Sequence, residues 1–243
     1  MVARVVESGL PNRDRAVIEL VAKFRQMTSG QIRDSLFAGL ASATPVDRTL
    51  KRLVEQKHLS RLKRLVGGDQ GGSGQFVYQL GRAGWKLLDK PGSYWVPRAV
   101  NLHTLAIADC YAAFKRAEQD GQLEVIQFTT EPECHQAVGN VLLTPDAYVE
   151  VGNRTEQVKH SYWLEVDRGT EHLEVIQEKC ERYYRAYGMW QEDYFPLVLF
   201  VVPDEHRQSA VERVVQAGPS PARRLLRVCV SPNVQASLIG GVL

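Results

Sequence analysis

Residues 163–167, Trp-Leu-Glu-Val-Asp, constrain the fold of this chain more than any other stretch. Alternate residues of a strand share a face, so Glu165 and Asp167 project to one side while Leu164 and Val166 project to the other. Acids held together on a rigid sheet are costly unless a cation or a basic partner neutralises them. Upstream, Thr144-Pro145-Asp146-Ala147 puts a third carboxylate at the mouth of a short apolar stretch. The pattern therefore asks for a sheet that gathers Asp146, Glu165 and Asp167 at one spot.

The surrounding sequence supplies such a sheet. Leu197 to Val202 is uninterrupted apolar sequence, as in a strand buried on both faces. Strand patterns also cover Leu123 to Thr130, Ala147 to Val151, Ser161 to Asp167 and Leu226 to Val230. Helical periodicity covers Asn101, as a cap, to Gln119, then Glu171 to Tyr187 and Glu205 to Gln216. Helix, three strands, helix, strand, helix, strand predicts an α/β sandwich with a mixed sheet.

The amino-terminal part reads differently. Asn12 is placed to cap a helix with Val17, Leu20, Val21 and Phe24 on one face. Thr28 and Gln31 have capping-box spacing for a second helix. Thr44-Pro45-Val46-Asp47 is a third start, a cap followed by proline and an acid in the first turn. That third helix turns Val46, Leu50, Leu53 and Val54 inward and carries Arg48, Lys51, Arg52 and Lys57 on its other faces. Two strand-like runs, Leu59 to Val66 and Gln75 to Leu80, flank a glycine-rich tip at 67–74. Three helices and a hairpin predict a winged helix-turn-helix that binds double-stranded DNA. Arg48, Lys51 and Arg52 would enter the major groove, and Arg61, Lys63 and Arg64 would follow the backbone. The glycine run lacks the Gly-Lys-Ser/Thr ending of a phosphate-binding loop.

Charge divides in the same way. Met1 to Arg98 holds 17 Lys and Arg against 8 Asp and Glu, and the remainder holds 13 against 20. A basic first part suits a polyanion, and an acidic second part does not. Pro91, Gly92 and Pro97 around Tyr94 and Trp95 break both periodicities and mark a joint. The expected organisation is a winged helix over 1–90, a linker over 91–100 and an α/β domain over 101–243. Without an apolar run of the ~20 residues that span a bilayer, a secretion signal or paired cysteines, the sequence predicts a cytoplasmic protein with no membrane contact and reduced thiols.

With these residues in view, the second half resembles the PD-(D/E)XK nuclease core. The chain as a whole resembles the replication-relaxation family of plasmids and integrative elements. The matching residues are Leu102 to Asp109, Thr144 to Ala147, Leu164 to Glu171, and Lys179 with Tyr183 and Tyr187. The resemblance implies a DNA-binding accessory factor of plasmid replication or relaxation, with replication or relaxase proteins as partners. It also implies Mg2+ on Asp146, Glu165 and Asp167. The lysine expected two positions after the glutamate is replaced by Asp167, and Arg168 would point to the opposite face. Lys179, about two turns into the following helix, is the candidate for a relocated lysine, ahead of Lys159.

Three readings of the acids stay open: an active Mg2+-dependent DNA endonuclease, a degenerate nuclease fold with Asp167 paired to Lys179 or Arg168, and ordinary salt bridges at a strand end. A transcriptional regulator is a further functional class. His103 is a packed or capping histidine on this reading, and Tyr183, Tyr184, Tyr187 and Trp190 form a core or interdomain stripe by their helical spacing. His135 beside Cys134 lacks the further ligands of a zinc site.

Overall fold

The computed structural model describes residues 9–40, 42–65, 75–95, 97–153, 158–220 and 222–239. The chain divides into two compact units, Met1–Leu105 and Ala106–Leu243. Both helices and strands are present throughout, and the larger sheet is mixed.

In the first unit, α1 (Asn12–Phe24) buries Val17, Ile18, Leu20, Val21 and Phe24. It starts behind Pro11 with no side-chain cap, so Asn12 is its first residue rather than its cap. A short strand follows, β1 (Gln26–Thr28), then α2 (Ser29–Leu36), which opens with both bonds of the Thr28–Gln31 capping box. The next helix, α3 (Thr44–Glu55), buries Val46, Thr49, Leu50 and Leu53. Ser42, not Thr44, supplies a side-chain acceptor at its start, 3.1 Å from the Thr44 amide. The hairpin of β2 (Leu59–Leu65) and β3 (Gln75–Leu80) is antiparallel, and β1 adds to the free side of β3. A further helix, α4 (Arg82–Leu87), closes the hairpin. The glycine-rich tip 67–74 and the side chains of Lys63 and Arg64 lie outside the described residues.

The stretch expected as a linker is tied to this unit by side-chain amides. Gln79 donates to the Pro97 carbonyl and Gln26 to the Ala99 carbonyl, both at 3.0 Å, and the Asn101 amide donates to Gln26 Oε1 at 2.8 Å. The division between units falls inside the next helix, α5 (Leu102–Gln119), whose first turn is capped by Asn101 Oδ1.

The second unit is built on β4 (Glu124–Thr130), a small hairpin of β5 (Gln136–Val138) and β6 (Val141–Leu143), then β7 (Ala147–Asn153) and β8 (Val158–Val166). After β8 come α6 (Leu173–Met189), β9 (Leu197–Val202), α7 (Glu205–Gln216), β10 (Leu226–Val230) and α8 (Val234–Ile239). The five-stranded sheet runs β10-β9-β8-β7-β4. β4, β7 and β8 are antiparallel, β4 reaching β7 through the β5–β6 hairpin, whereas the helical crossovers α6 and α7 make β8, β9 and β10 parallel.

One face of the sheet packs Trp163, Val198, Phe200 and Val202 against Ile176, Cys180 and Tyr183 of α6 and Val211 and Val215 of α7. Trp163 is fully buried there, its ring 4.9 Å from Phe195, 5.7 Å from Tyr183 and 6.0 Å from Trp190. Edge-to-face and tilted pairs of this kind add about 0.5–1.5 kcal/mol each beyond their buried area. Of the expected stripe, Tyr183 is core, Tyr184 and Trp190 pack against it half-buried, and Tyr187 is exposed. On the opposite face, Phe128 stacks with Tyr111 and Phe114 of α5. All four cysteines are buried free thiols. Among the described residues, no helix is long and apolar enough to cross a membrane.

Candidate functional site

The carboxylates sit where β7 begins and β8 ends. Antiparallel pairing of Ala147 with Leu164 brings the residue before β7 beside the end of β8. Asp146 is buried there, and its Oδ2 accepts from the Val166 amide at 2.7 Å while its own amide donates to the Leu164 carbonyl at 3.0 Å. Glu165 is 3% exposed. Its Oε1 accepts from the Tyr183 hydroxyl at 2.6 Å, and its Oε2 lies 3.1 Å from Lys179 Nζ. Lys179 also pairs with Glu171 at 3.0 Å.

Lys179 and Tyr183 are four residues apart on α6 and so share its inward face. Burial pushes the Glu165 carboxyl up to about 7, against the downward pull of Lys179 and with further upward push from Asp146. Burial lowers Lys179, but Glu165, Glu171 and Asp146 together hold it above its ordinary value. Burial, then Glu165, raises Tyr183 well above the usual phenol range, so the phenol remains a donor.

Asp167 departs from expectation. Its partner is neither Lys179 nor Arg168 but Arg207 of α7, whose Nε binds Asp167 Oδ2 and whose second nitrogen donates to the Glu171 carbonyl at 2.7 Å. Asp167 Oδ1 accepts from the Gly169 amide at 2.8 Å, closing a turn in which Gly169 takes φ +77°, a conformation that favours glycine. The strand ends at Val166, and the Asp167 amide crosses to the Val201 carbonyl at 2.9 Å. Arg168 is exposed. Arg207 carried no sequence signal, because nothing local links it to an acid forty positions earlier.

This donor set does not fit the Mg2+ that the nuclease resemblance implies. Both Glu165 oxygens, Asp146 Oδ2 and both Asp167 oxygens are engaged by protein donors. Among the described residues, no group of three His, Cys, Asp or Glu side chains is placed to hold a metal ion. The Lys179 ammonium supplies the positive charge that buried Glu165 requires. Lys159 pairs instead with Glu150 at 2.7 Å. Cys134 donates to the Pro145 carbonyl at 3.0 Å, and burial raises its thiol to about 12.

In the first unit, Arg48 and Lys51 are exposed on α3, opposite its buried face, and Lys51 lies 3.9 Å from Glu55 on the same helix. Arg52 is different from the expectation of a groove-facing residue. It makes two bonds, at 2.6 and 2.9 Å, to Asp14 of α1, which is 1% exposed. The arginine is committed because a buried carboxylate needs it. Arg61 lies over the Phe76 ring at 4.1 Å, leaving its charge on the hairpin surface.

The family model described as Replication-relaxation matches residues 18–198, from within α1 to the start of β9. This chain belongs to the replication-relaxation family. Membership places it in a replication-related setting. Asp146, Glu165, Asp167 and Lys179 fall inside the matched stretch and Arg207 falls outside it. No curated protein matches the chain. Two solved structures are similar: restriction endonuclease FokI, at 12% identity and a TM-score of 0.30 over 95% of this chain and 44% of that one, and FokI bound to DNA, at 11% identity and a TM-score of 0.29 over 95% and 45%. The chain thus spans under half the length of these structures.

Proposed function

We propose that this member of the replication-relaxation family is a DNA-binding accessory protein of plasmid or mobile-element replication. On this reading its first unit is a winged helix that grips double-stranded DNA. Its second unit is a PD-(D/E)XK nuclease-like fold whose acids are neutralised from within and which serves as an assembly surface for replication or relaxase proteins. The observation that carries the reading is α3: Arg48 and Lys51 stand exposed on the helix whose opposite face is core. Cations fixed on a packed helix release counterions from a duplex, which makes binding fall steeply with salt.

Duplex binding across a salt series tests this. Arg48→Ala with Lys51→Ala should lower the slope of log affinity against log salt by about 2, roughly one per lost phosphate contact. An unchanged slope would reject α3 as the DNA-facing helix. A second reading, a Mg2+-dependent endonuclease with Lys179 as relocated lysine, would need the Tyr183 and Lys179 bonds to Glu165 and the Val166 bond to Asp146 to open for the metal. It requires plasmid nicking that disappears with Glu165→Gln and with Asp146→Asn.

A further inference from the structure

The later part of the chain is acidic as a whole, yet one stretch of its surface is not. Three arginines fall within five residues: Arg223 and Arg224 on a turn of 3-10 helix (Ala222–Leu225), and Arg227 on β10, the edge strand of the five-stranded sheet. The short link from α7 to β10 sets that turn beside the last turn of α7, where the Arg223 guanidinium donates to the Gln216 carbonyl at 3.3 Å. The three arginines and Glu212 of α7 line a cavity of about 450 Å3, within the range of ligand sites. Arg224 and Arg227 are exposed and Arg223 is half-buried.

Other cations of this unit are spent on acids. Lys115 holds Glu118, Lys159 holds Glu150, Lys179 holds Glu165 and Arg207 holds Asp167. Among the described residues, no carboxylate forms an ion pair with Arg223, Arg224 or Arg227. Glu212, the acid on the lining, accepts instead from Gln208 at 2.9 Å. Arg223 uses one terminal nitrogen on the Gln216 carbonyl, and Arg227 uses one on the Arg224 and Leu226 carbonyls. Those bonds hold two of the side chains in place and leave most of their five N–H donors for a ligand. Three like charges so close repel one another until an anion joins them. A guanidinium meets the oxygens of a phosphate two at a time, which suits this set to phosphate. The lining has no aromatic ring to stack on a base, so it would grip the backbone and not read sequence.

We infer that Arg223, Arg224 and Arg227 form a contact for the phosphate backbone of duplex DNA, carried by the second unit and additional to α3. The choice of DNA as the anion rests on the proposed function. The full chain with Arg224→Gln and Arg227→Gln tests it: glutamine removes the charge and keeps an amide donor, and Arg223 stays at the end of α7. The slope of log duplex affinity against log salt should fall by about 2, one per lost phosphate contact. From about 50 to 200 mM salt, the variant should then lose roughly ten-fold less affinity than wild type.

Arg224→Lys with Arg227→Lys keeps the charges and should restore the wild-type slope. An unchanged slope in the glutamine pair overturns the inference, and so does a slope that stays low in the lysine pair, which would mark a structural role. NMR of the arginine Nε–H signals identifies the occupant. Duplex should move the Arg224 and Arg227 signals at concentrations where inorganic phosphate and a polyglutamate peptide leave them in place. Equal shifts with free phosphate or with polyglutamate overturn DNA as the occupant. Arg48→Ala with Lys51→Ala, measured in parallel, separates the two claims. A slope lowered by that pair alone rejects the second-unit contact, and a slope lowered by the glutamine pair alone rejects the α3 reading.

Discussion

Glu165→Gln isolates the electrostatics of the acid site with little change of shape. The amide keeps an oxygen for the Tyr183 hydroxyl, and Lys179 keeps Glu171 as partner. In the wild-type fold, burial raises the Glu165 carboxyl from 4.5 to about 7 despite Lys179. A group whose folded value is raised stabilises the fold fully below its unfolded value and loses that contribution as pH climbs through the folded one. Across the window from 4.5 to about 7, wild type should therefore lose stability relative to the variant. The loss is ~1.4 kcal/mol per pH unit, or about 3 kcal/mol in all. Urea unfolding between pH 4 and 9, read through hydrogen exchange of the β8 and β9 amides, reports this unit alone. A flat difference across the window would refute the reasoning. A wild type that gains on the variant as pH rises would show instead that Lys179 outweighs burial and holds the carboxylate ionised.

Arg52→Ala should cost the first unit about 2–3 kcal/mol, because it leaves the buried Asp14 carboxylate without its charged donors. Arg48→Ala should stay within ~0.5 kcal/mol of wild type. Thermal melts of the two variants would contradict this if their order were reversed. Arg207→Leu should destabilise the second unit by about 3–5 kcal/mol, since Asp167 is 3% exposed and would be a lone buried charge. Asp167→Asn with Arg207→Leu should recover part of that loss, and a double variant no better than the single one would count against the pair.

Much of the fold was legible because its signals are local. The Thr28–Gln31 capping box and the Asn101 cap use residues within three positions of one another. The apolar run Leu197–Val202 reads as a strand covered on both faces, and β9 is one. Short or weakly patterned elements escaped: β1 has three residues and gains its identity only by pairing with β3. The glycine in α4 disguised a helix. At the site, strand alternation put Glu165 and Asp167 on one face, whereas Asp146 and Lys179 were singled out by the resemblance to nucleases. The partners of Asp167 and Arg52 were not legible, since both ion pairs join residues about forty positions apart and depend on how helices dock. An exposed-face count cannot tell a groove-facing arginine from one bound to a buried acid on a neighbouring helix.

Arg207 fastens both ends of the turn between β8 and α6, holding the Asp167 carboxylate at one and the Glu171 carbonyl at the other. That turn sets where α6 begins, and α6 delivers Lys179 and Tyr183 to Glu165. A displacement of α7 would therefore shift the start of α6 and, with it, the two donors that α6 brings to the buried Glu165.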